Sequence, residues 1–224
     1  DWSAFHVKPE FLQEWRDYNK CLRQRNHVLK HGTNKNKEIA GWTQELCLIG
    51  ENVDRARSEI FRQIKPIFEE YSRQLLPECT LSLAYKKGWP NTLSLEEALE
   101  QIRPQELLNK STRRGPHRAD IKISLNDQDA SSAASRGQQK LIVASLLLAQ
   151  IKHAQQRSNR KCVVLLDDIR AELDQEHSQA LMGALQALKS QVFISAIEPE
   201  QVDLGGWNET RVFHVKQGTC KLLA

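Results

Sequence analysis

Two adjacent carboxylates, Asp167 and Asp168, close the apolar run Cys162-Val163-Val164-Leu165-Leu166. A run without polar interruption reads as a strand buried on both faces, and ligands of open α/β sheets sit beyond the carboxyl ends of such strands. Two ionised acids side by side repel each other unless a cation or a raised pKa relieves them. Nucleotide hydrolysis uses that arrangement: the first acid holds a divalent cation through water, and the second orients the attacking water. A strand-end aspartate capping the next turn is the plainer alternative. Upstream, Ser135-Arg136-Gly137-Gln138 opens a long apolar segment. The Ser135 hydroxyl, the Gly137 N–H and a helix N-terminus then converge, which makes an anion site. Downstream, Ala171-Glu172-Leu173-Asp174 places Asp174 six residues after Asp168, in the loop that leads into the next helix.

These residues need a scaffold. KCVVLL, SQVFISA, TRVFHV and TCKLL have strand character, and a helix from about 175 to 189 separates the first two, which predicts a βαβ unit with parallel pairing. VKQGTCK predicts a closing hairpin. The helix over about 137–156 is apolar nearly all round in its first turns and is expected to be buried. Before it, CTLSLAYKKGW and DIKISL alternate like strands, and SLEEALEQI starts a helix with Ser94 as N-cap and Glu97 three residues on.

The first part of the chain has a different period. Phe11, Trp15, Tyr18 and Leu22 share one helical face, His31 to Asn34 form a polar break, and Ile39, Trp42, Leu46, Ile49, Val53, Ala56 and Ile60 recur at three and four residues. Two antiparallel helices packed seam to seam follow, with Trp15 and Trp42 as core aromatics and Pro66 expected to kink or end the second helix. The resulting architecture is an α/β lobe carrying a helical arm. Its expected divisions are a helical arm over 1–78, a mixed connecting segment over 79–134 and the α/β part over 135–224.

Composition excludes more than it selects. The chain has 224 residues, 40% of them hydrophobic, enough for a real core in about one or two domains. No apolar stretch approaches the roughly 20 residues of a membrane span. The 5 cysteines are scattered without metal-ligand spacing, so neither a disulfide framework nor a zinc site is expected. A net charge of +4 is compatible with a polyanionic partner without selecting one.

Taken together the motifs resemble a known family. S-R-G-Q is similar to the signature of ABC-type ATPases, VVLLDD to their Walker B strand and AELD to their D-loop, in that family's order. RRGPHRAD before the signature, QVFISAI and VFHVKQG after it, and FHVKPEFLQEWRDYNKCLRQRN near the start resemble the RecF family specifically, over nearly the whole chain. The resemblance implies part of an ABC-type ATPase head with a short antiparallel coiled-coil-like arm. It also implies ATP and Mg²⁺ as cofactors and a dimer in which the signature of one subunit completes the site of the other. By motif position Ser135, Gly137 and Gln138 contact the partner's nucleotide, Asp167 holds Mg²⁺, Asp168 orients water and Asp174 couples across the interface. The family's role implies DNA at single-strand/double-strand gap junctions, recombination mediators such as RecR and RecO as partners, and a bacterial cytoplasmic, nucleoid-associated setting.

Ala134 stands where the signature usually has Leu, Arg170 where a small residue is usual, and the segment after VFI carries Ser195 and no histidine. No GxxxxGK[S/T] phosphate loop occurs; PQELLNKS, ending at Ser111, has neither glycine. The chain is therefore expected to be the C-terminal portion of a longer protein, inactive by itself.

For DNA, Arg113, Arg114, His117 and Arg118 around Gly115-Pro116 form a basic loop suited to phosphate contacts; Arg16, Lys20, Arg23, Arg25 and Lys30 charge the first helix, where a solvated face explains them at least as well as DNA contact. Two other readings stay open: a head fragment of another SMC-type ATPase, whose coiled coils are far longer, and a non-catalytic interaction module.

Overall fold

Apolar residues recurring every three to four positions decide the first half of the chain. In a computed structural model that describes residues 1–32, 35–158, 161–167, 173–197 and 202–223, they build α1 (Trp2–Val7), α2 (Phe11–His31) and α3 (Lys35–Leu75). The polar break at Gly32 returns the chain on itself. Residues of α2 then meet α3: the Cys21 thiol lies 3.6 Å from the Trp42 carbonyl, and Arg25 Nε donates to Thr43 Oγ1 at 2.9 Å. The seam is the expected one, with Phe11, Tyr18, Cys21, Val28 and Leu29 buried against Ile39, Leu46, Val53, Ala56 and Ile60. Trp15 and Trp42 are only partly buried.

Pro66 does not end α3, which runs 41 residues through it. Proline costs about 3 kcal/mol in a helix interior, but Phe68, Tyr71 and Leu75 lie buried beyond it, and each such side chain contributes about 1.5–3 kcal/mol. Packing therefore outweighs the break. The continued α3 meets α7 (Arg136–Ser158), with Gln63 Oε1 2.8 Å from His153 Nε2 and Glu70 3.0 Å from Lys152 Nζ. The expectation that α7 is buried all round needs correction. Leu141, Ile142, Leu148 and Ala149 are buried, while Val143 and Leu147 on the other side are 54% and 53% exposed.

Between α3 and α7, β1 (Leu81–Lys86) pairs antiparallel with β2 (Asp120–Leu125) from Leu81↔Leu125 to Lys86↔Asp120, and β3 (Gln128–Asp129) returns along β2. The segment joining β1 to β2 holds α4 (Leu95–Gln101), α5 (Arg103–Asn109) and a single 3₁₀ turn over Pro116–Arg118. Helix α4 starts with the reciprocal Ser94–Glu97 cap that its sequence predicts. The short α6 (Ala130–Ala133) leads to α7. These elements form the unit Asp1–Arg160.

The second unit, Lys161–Ala224, contains β4 (Val163–Leu166), α8 (Gln175–Ala187) and β5 (Gln191–Ile194), with β4 and β5 parallel as expected of a βαβ crossover. The hairpin of β6 (Phe213–Lys216) and β7 (Thr219–Leu222) turns at Gln217 and Gly218, both at positive φ. Strand β4 was expected to be buried on both faces and is not. Val163 and Leu165 are 57% and 76% exposed and Phe193 of β5 is 52% exposed, because the described residues put no layer over that face. The boundary after Arg160 groups α7 with the helical arm, whereas composition alone suggests a division before the signature.

Candidate functional site

In the second unit, the parallel pairing of β4 and β5 carries two polar residues to the same sheet edge. Asp167 follows β4, Ser195 follows β5, and the Ser195 N–H donates to the Leu166 carbonyl at 2.9 Å, continuing the ladder by one bond. The Ser195 hydroxyl donates to Asp167 Oδ1. The aspartate is exposed; one carboxylate oxygen is oriented by a hydroxyl, and the other has no hydrogen-bond partner among the described residues. Asp168 and Arg170 lie outside the described residues.

Asp174 has a definite local task. Its Oδ1 accepts from the His177 N–H at 2.9 Å, capping α8, and its Oδ2 lies 2.7 Å from His177 Nδ1. The backbone hydrogen bond from His177, followed by the imidazole contact, holds the Asp174 carboxyl below the usual carboxylate range. His177 lies half-buried in the first turn of α8.

In the first unit, Ser135 and Gln138 close the start of α7 on each other. Ser135 Oγ accepts from the Gln138 N–H at 3.3 Å, and Gln138 Oε1 accepts from the Ser135 N–H at 2.9 Å. This is the reciprocal cap of a Ser-x-x-Gln start, so the residues expected to face a nucleotide also satisfy their own helix terminus. Gln138 is further tied by its amide to the Cys79 thiol at 3.5 Å. Gly137 sits half-buried between them.

The basic loop is built far more heavily. Arg25, expected on a solvated face, is 1% exposed, and its guanidinium is shared among three elements. Nη2 meets Glu106 Oε2 at 2.7 Å, Nη1 donates to Thr112 Oγ1 at 2.8 Å, and Nε holds Thr43. Glu106, wholly buried in α5, uses its other oxygen to accept the Arg113 N–H at 2.6 Å. Asn26 Oδ1 takes both the N–H and the hydroxyl of Thr112, at 2.7 and 2.8 Å. A buried ion pair in which each guanidinium nitrogen and each carboxylate oxygen has a partner can be held. Periodicity gave no sign of it, because an arginine on the buried stripe becomes visible only when Glu106, 81 positions away, is brought to it.

His117 belongs to the same frame and is not a free cation. Its Nε2 donates to the Thr112 carbonyl at 3.1 Å, leaving Nδ1 to accept from the Tyr18 hydroxyl at 2.6 Å. Burial first, and then the neighbouring Arg118, Arg25 and Arg57, push its pKa below the usual imidazole range despite the carbonyl contact. Burial drives the Tyr18 hydroxyl well above the ordinary phenol range. Arg57 of α3 donates to the Pro116 carbonyl at 2.7 Å, fixing the turn from below. Arg113, Arg114 and Arg118 themselves make no side-chain hydrogen bond or ion pair among the described residues.

Comparison with known proteins brings these parts under one heading. The RecF/RecN/SMC N terminal domain pattern matches residues 33–221. The chain is 39% identical over 220 residues to the DNA replication and repair protein RecF of Pseudomonas fluorescens (strain SBW25), covering 97% of this chain and 60% of that protein. It is 40% identical over the same length and coverage to the protein of that name from Azotobacter vinelandii (strain DJ / ATCC BAA-1303). Its fold superposes on a solved structure of the recombination mediator protein RecF with ATPrS in the RecFOR pathway, with a TM-score of 0.79 at 23% identity over 97% of this chain and 60% of that one. The corresponding ATP complex gives 0.78 at 21% identity and the same coverage. The chain thus spans 60% of the length of the relatives it matches.

Proposed function

We propose a function from this premise: the chain belongs to the RecF/RecN/SMC N terminal domain family. It is the part of a RecF-like DNA-repair ATPase that carries the signature, the Walker B strand and the D-loop. It acts in recombinational repair and replication restart at single-strand gaps, in the bacterial cytoplasm. Its partners are DNA gap junctions, recombination mediators such as RecR and RecO, and a second copy of itself bound through ATP. The observation that carries this reading is the Asp167–Ser195 pair at the carboxyl ends of two parallel strands, where an α/β sheet presents its ligand.

The residues present fit Mg²⁺. That ion takes one or two carboxylates and completes its shell with water and substrate phosphate, so a single oriented aspartate with one open oxygen suffices. The described residues contain no cluster of three or more His, Cys, Asp or Glu that would make an all-protein cage. Asp167 holds the ion, which when bound neutralises developing phosphoryl charge. Ser195 fixes the carboxylate's orientation, and Asp168 positions the attacking water. Ser135, Gly137 and Gln138 present the capped N-terminus of α7 to the nucleotide of the opposite subunit, and Asp174 joins the two sites. The sequence contains no glycine-rich phosphate loop, so residues 1–224 alone bind ATP weakly and do not turn it over.

Full-length protein tests the assignment. Asp168→Asn retains ATP binding while hydrolysis falls about 10²- to 10⁴-fold; unchanged turnover removes the water-orienting role. Gly137→Arg leaves nucleotide binding by each monomer intact and abolishes ATP-induced dimerisation in sedimentation. Mixing it with a subunit defective in the phosphate loop restores part of the hydrolysis by rebuilding one complete site. A mixture as inactive as its parts, once heterodimers are confirmed, rules out completion across the interface.

A further inference from the structure

The basic loop has a second wall that sequence reasoning did not connect to it. Lys86 and Lys87, at the end of β1, and Trp89 after them line the same cavity as Arg113, Arg114 and Arg118. The cavity holds about 570 Å³, and none of its lining residues is an acid. The two walls meet at a pair of glycines. Gly88 has φ +94, and a Cβ there would lie 2.3 Å from the Gly115 carbonyl oxygen; Gly115 has φ +132, and its Cβ would lie 2.6 Å from the Tyr18 hydroxyl. Neither position accepts a side chain, and the Gly115 N–H points back to the Gly88 carbonyl at 3.4 Å.

Not every cation in this cavity is equally available. Lys87 Nζ lies 4.6 Å above the Trp89 ring and donates to the Leu93 carbonyl at 3.2 Å, and its charge also acts on Asp54. Lys86 stands opposite Asp120 in the strand ladder without an ion pair to it, and, like the three arginines, it makes no side-chain hydrogen bond or ion pair among the described residues. Trp89, 7% exposed, keeps its indole N–H without an acceptor among the described residues. A frame of buried hydrogen bonds therefore holds like charges together in a concavity without a matching carboxylate. Clefts lined by one sign of charge concentrate the opposite ion.

We propose that this cavity is a phosphate-binding site for a nucleic-acid backbone, with Lys86 on one wall and Arg114 and Arg118 on the other gripping the phosphates. It rests on the DNA-binding reading above and adds the second wall and the frame that presents it. The same chemistry would also take the phosphates of a free nucleotide. The backbone is favoured because none of the lining residues is a carboxylate and neither lining aromatic is exposed for a base to stack on: Trp89 lies beneath Lys87, and Tyr85 is held by its hydroxyl to Asp54 at 2.7 Å with its ring 5.7 Å from that of Phe61.

The test uses full-length protein and fluorescently labelled single-stranded and duplex oligonucleotides, titrated across a salt series. The variant Lys86→Gln/Arg114→Gln/Arg118→Gln is set against Arg16→Gln/Lys20→Gln/Arg23→Gln, which removes the same charge from the exposed side of α2. Losing three phosphate contacts lowers the slope of log affinity against log salt by about 2 to 3 in the cavity variant, with the α2 variant near wild type. Lys86→Gln/Arg118→Gln, both at exposed positions, carries the same expectation for two contacts. Titration with ATP gives wild-type affinity in each variant. Equal slopes for cavity and α2 variants overturn the site, and weakened ATP binding with unchanged oligonucleotide binding reassigns it to free nucleotide. Wild-type protein that binds no oligonucleotide removes the DNA-binding reading and the occupant with it, whereas wild-type binding untouched by the cavity variants removes the cavity alone.

Discussion

The two charged regions of this chain are built on opposite plans. The basic cavity is over-determined: Arg25, Glu106, Thr112, Asn26, His117 and Tyr18 draw α2, α5 and the turn at Pro116 into one hydrogen-bonded frame, and none of these residues is fully exposed. The carboxylate end of β4 is under-determined: Asp167 has one hydroxyl partner, and the sheet beneath it shows Leu165 and Phe193 to solvent. A site that needs only to present fixed charge can be completed within one unit. The site proposed to assemble around metal and nucleotide leaves one carboxylate oxygen without a partner among the described residues. Damage to the first region should therefore be read in stability, and damage to the second in ligand affinity.

The largest effect expected from breaking this contrast comes from Arg25→Met, which leaves the buried Glu106 carboxylate without its cation. It should cost about 3–5 kcal/mol in denaturant unfolding, and Arg25→Met/Glu106→Leu should recover much of the loss. Next is Gly88→Ala, where a methyl group meets the Gly115 carbonyl in a backbone conformation that L side chains rarely adopt. A loss of about 1–3 kcal/mol by thermal unfolding is expected, together with weaker oligonucleotide binding. In the second region, Ser195→Ala should leave stability near wild type while weakening Mg²⁺-dependent nucleotide binding by the full-length protein about 10-fold, as for other groups that orient a metal ligand. Equal affinity with and without the hydroxyl would break the contrast from the other side.

The smallest effect is a pH dependence. Burial keeps His117 neutral in the fold below its ordinary value of 6.5, so between the folded and unfolded pKa values the unfolded chain binds more protons. Its contribution to stability is intact above about pH 6.5 and is lost as acidification passes through the unfolded and then the folded pKa. Melting temperatures taken from pH 7.5 to 5 should fall less steeply in His117→Asn than in wild type. Matching profiles would show that another group carries the acid sensitivity.

Much of the scaffold was legible because it is written in local periods. The α2–α3 seam, the Ser94 cap, the βαβ unit and the Gln217-Gly218 hairpin each depend on residues within a few positions of one another. The order Ser-Arg-Gly-Gln, then Asp167, then Asp174 carried the family for the same reason, since each motif is a short stretch with its own chemistry. Pro66 does not end α3 because the residues buried beyond it outweigh the local cost, and only tertiary contact supplies that burial. Strand β4 misled because apolarity states what a strand can bury and not whether a layer covers it.

What the sequence by itself determined is therefore the set of elements and the chemical types at their ends, since hydrophobic period, capping residues and turn glycines act over a few positions. Only the tertiary structure decided which charges are free. Arg23 and Arg25 are near neighbours on one helix, yet one is solvated and the other buried, because α5 brings Glu106 to Arg25 and nothing among the described residues does the same for Arg23. Lys86 and Arg118, 32 positions apart in sequence, share a cavity because the β1–β2 ladder closes the segment between them. A charge's function depends on the dielectric and the partners around it, and both are properties of the folded surface.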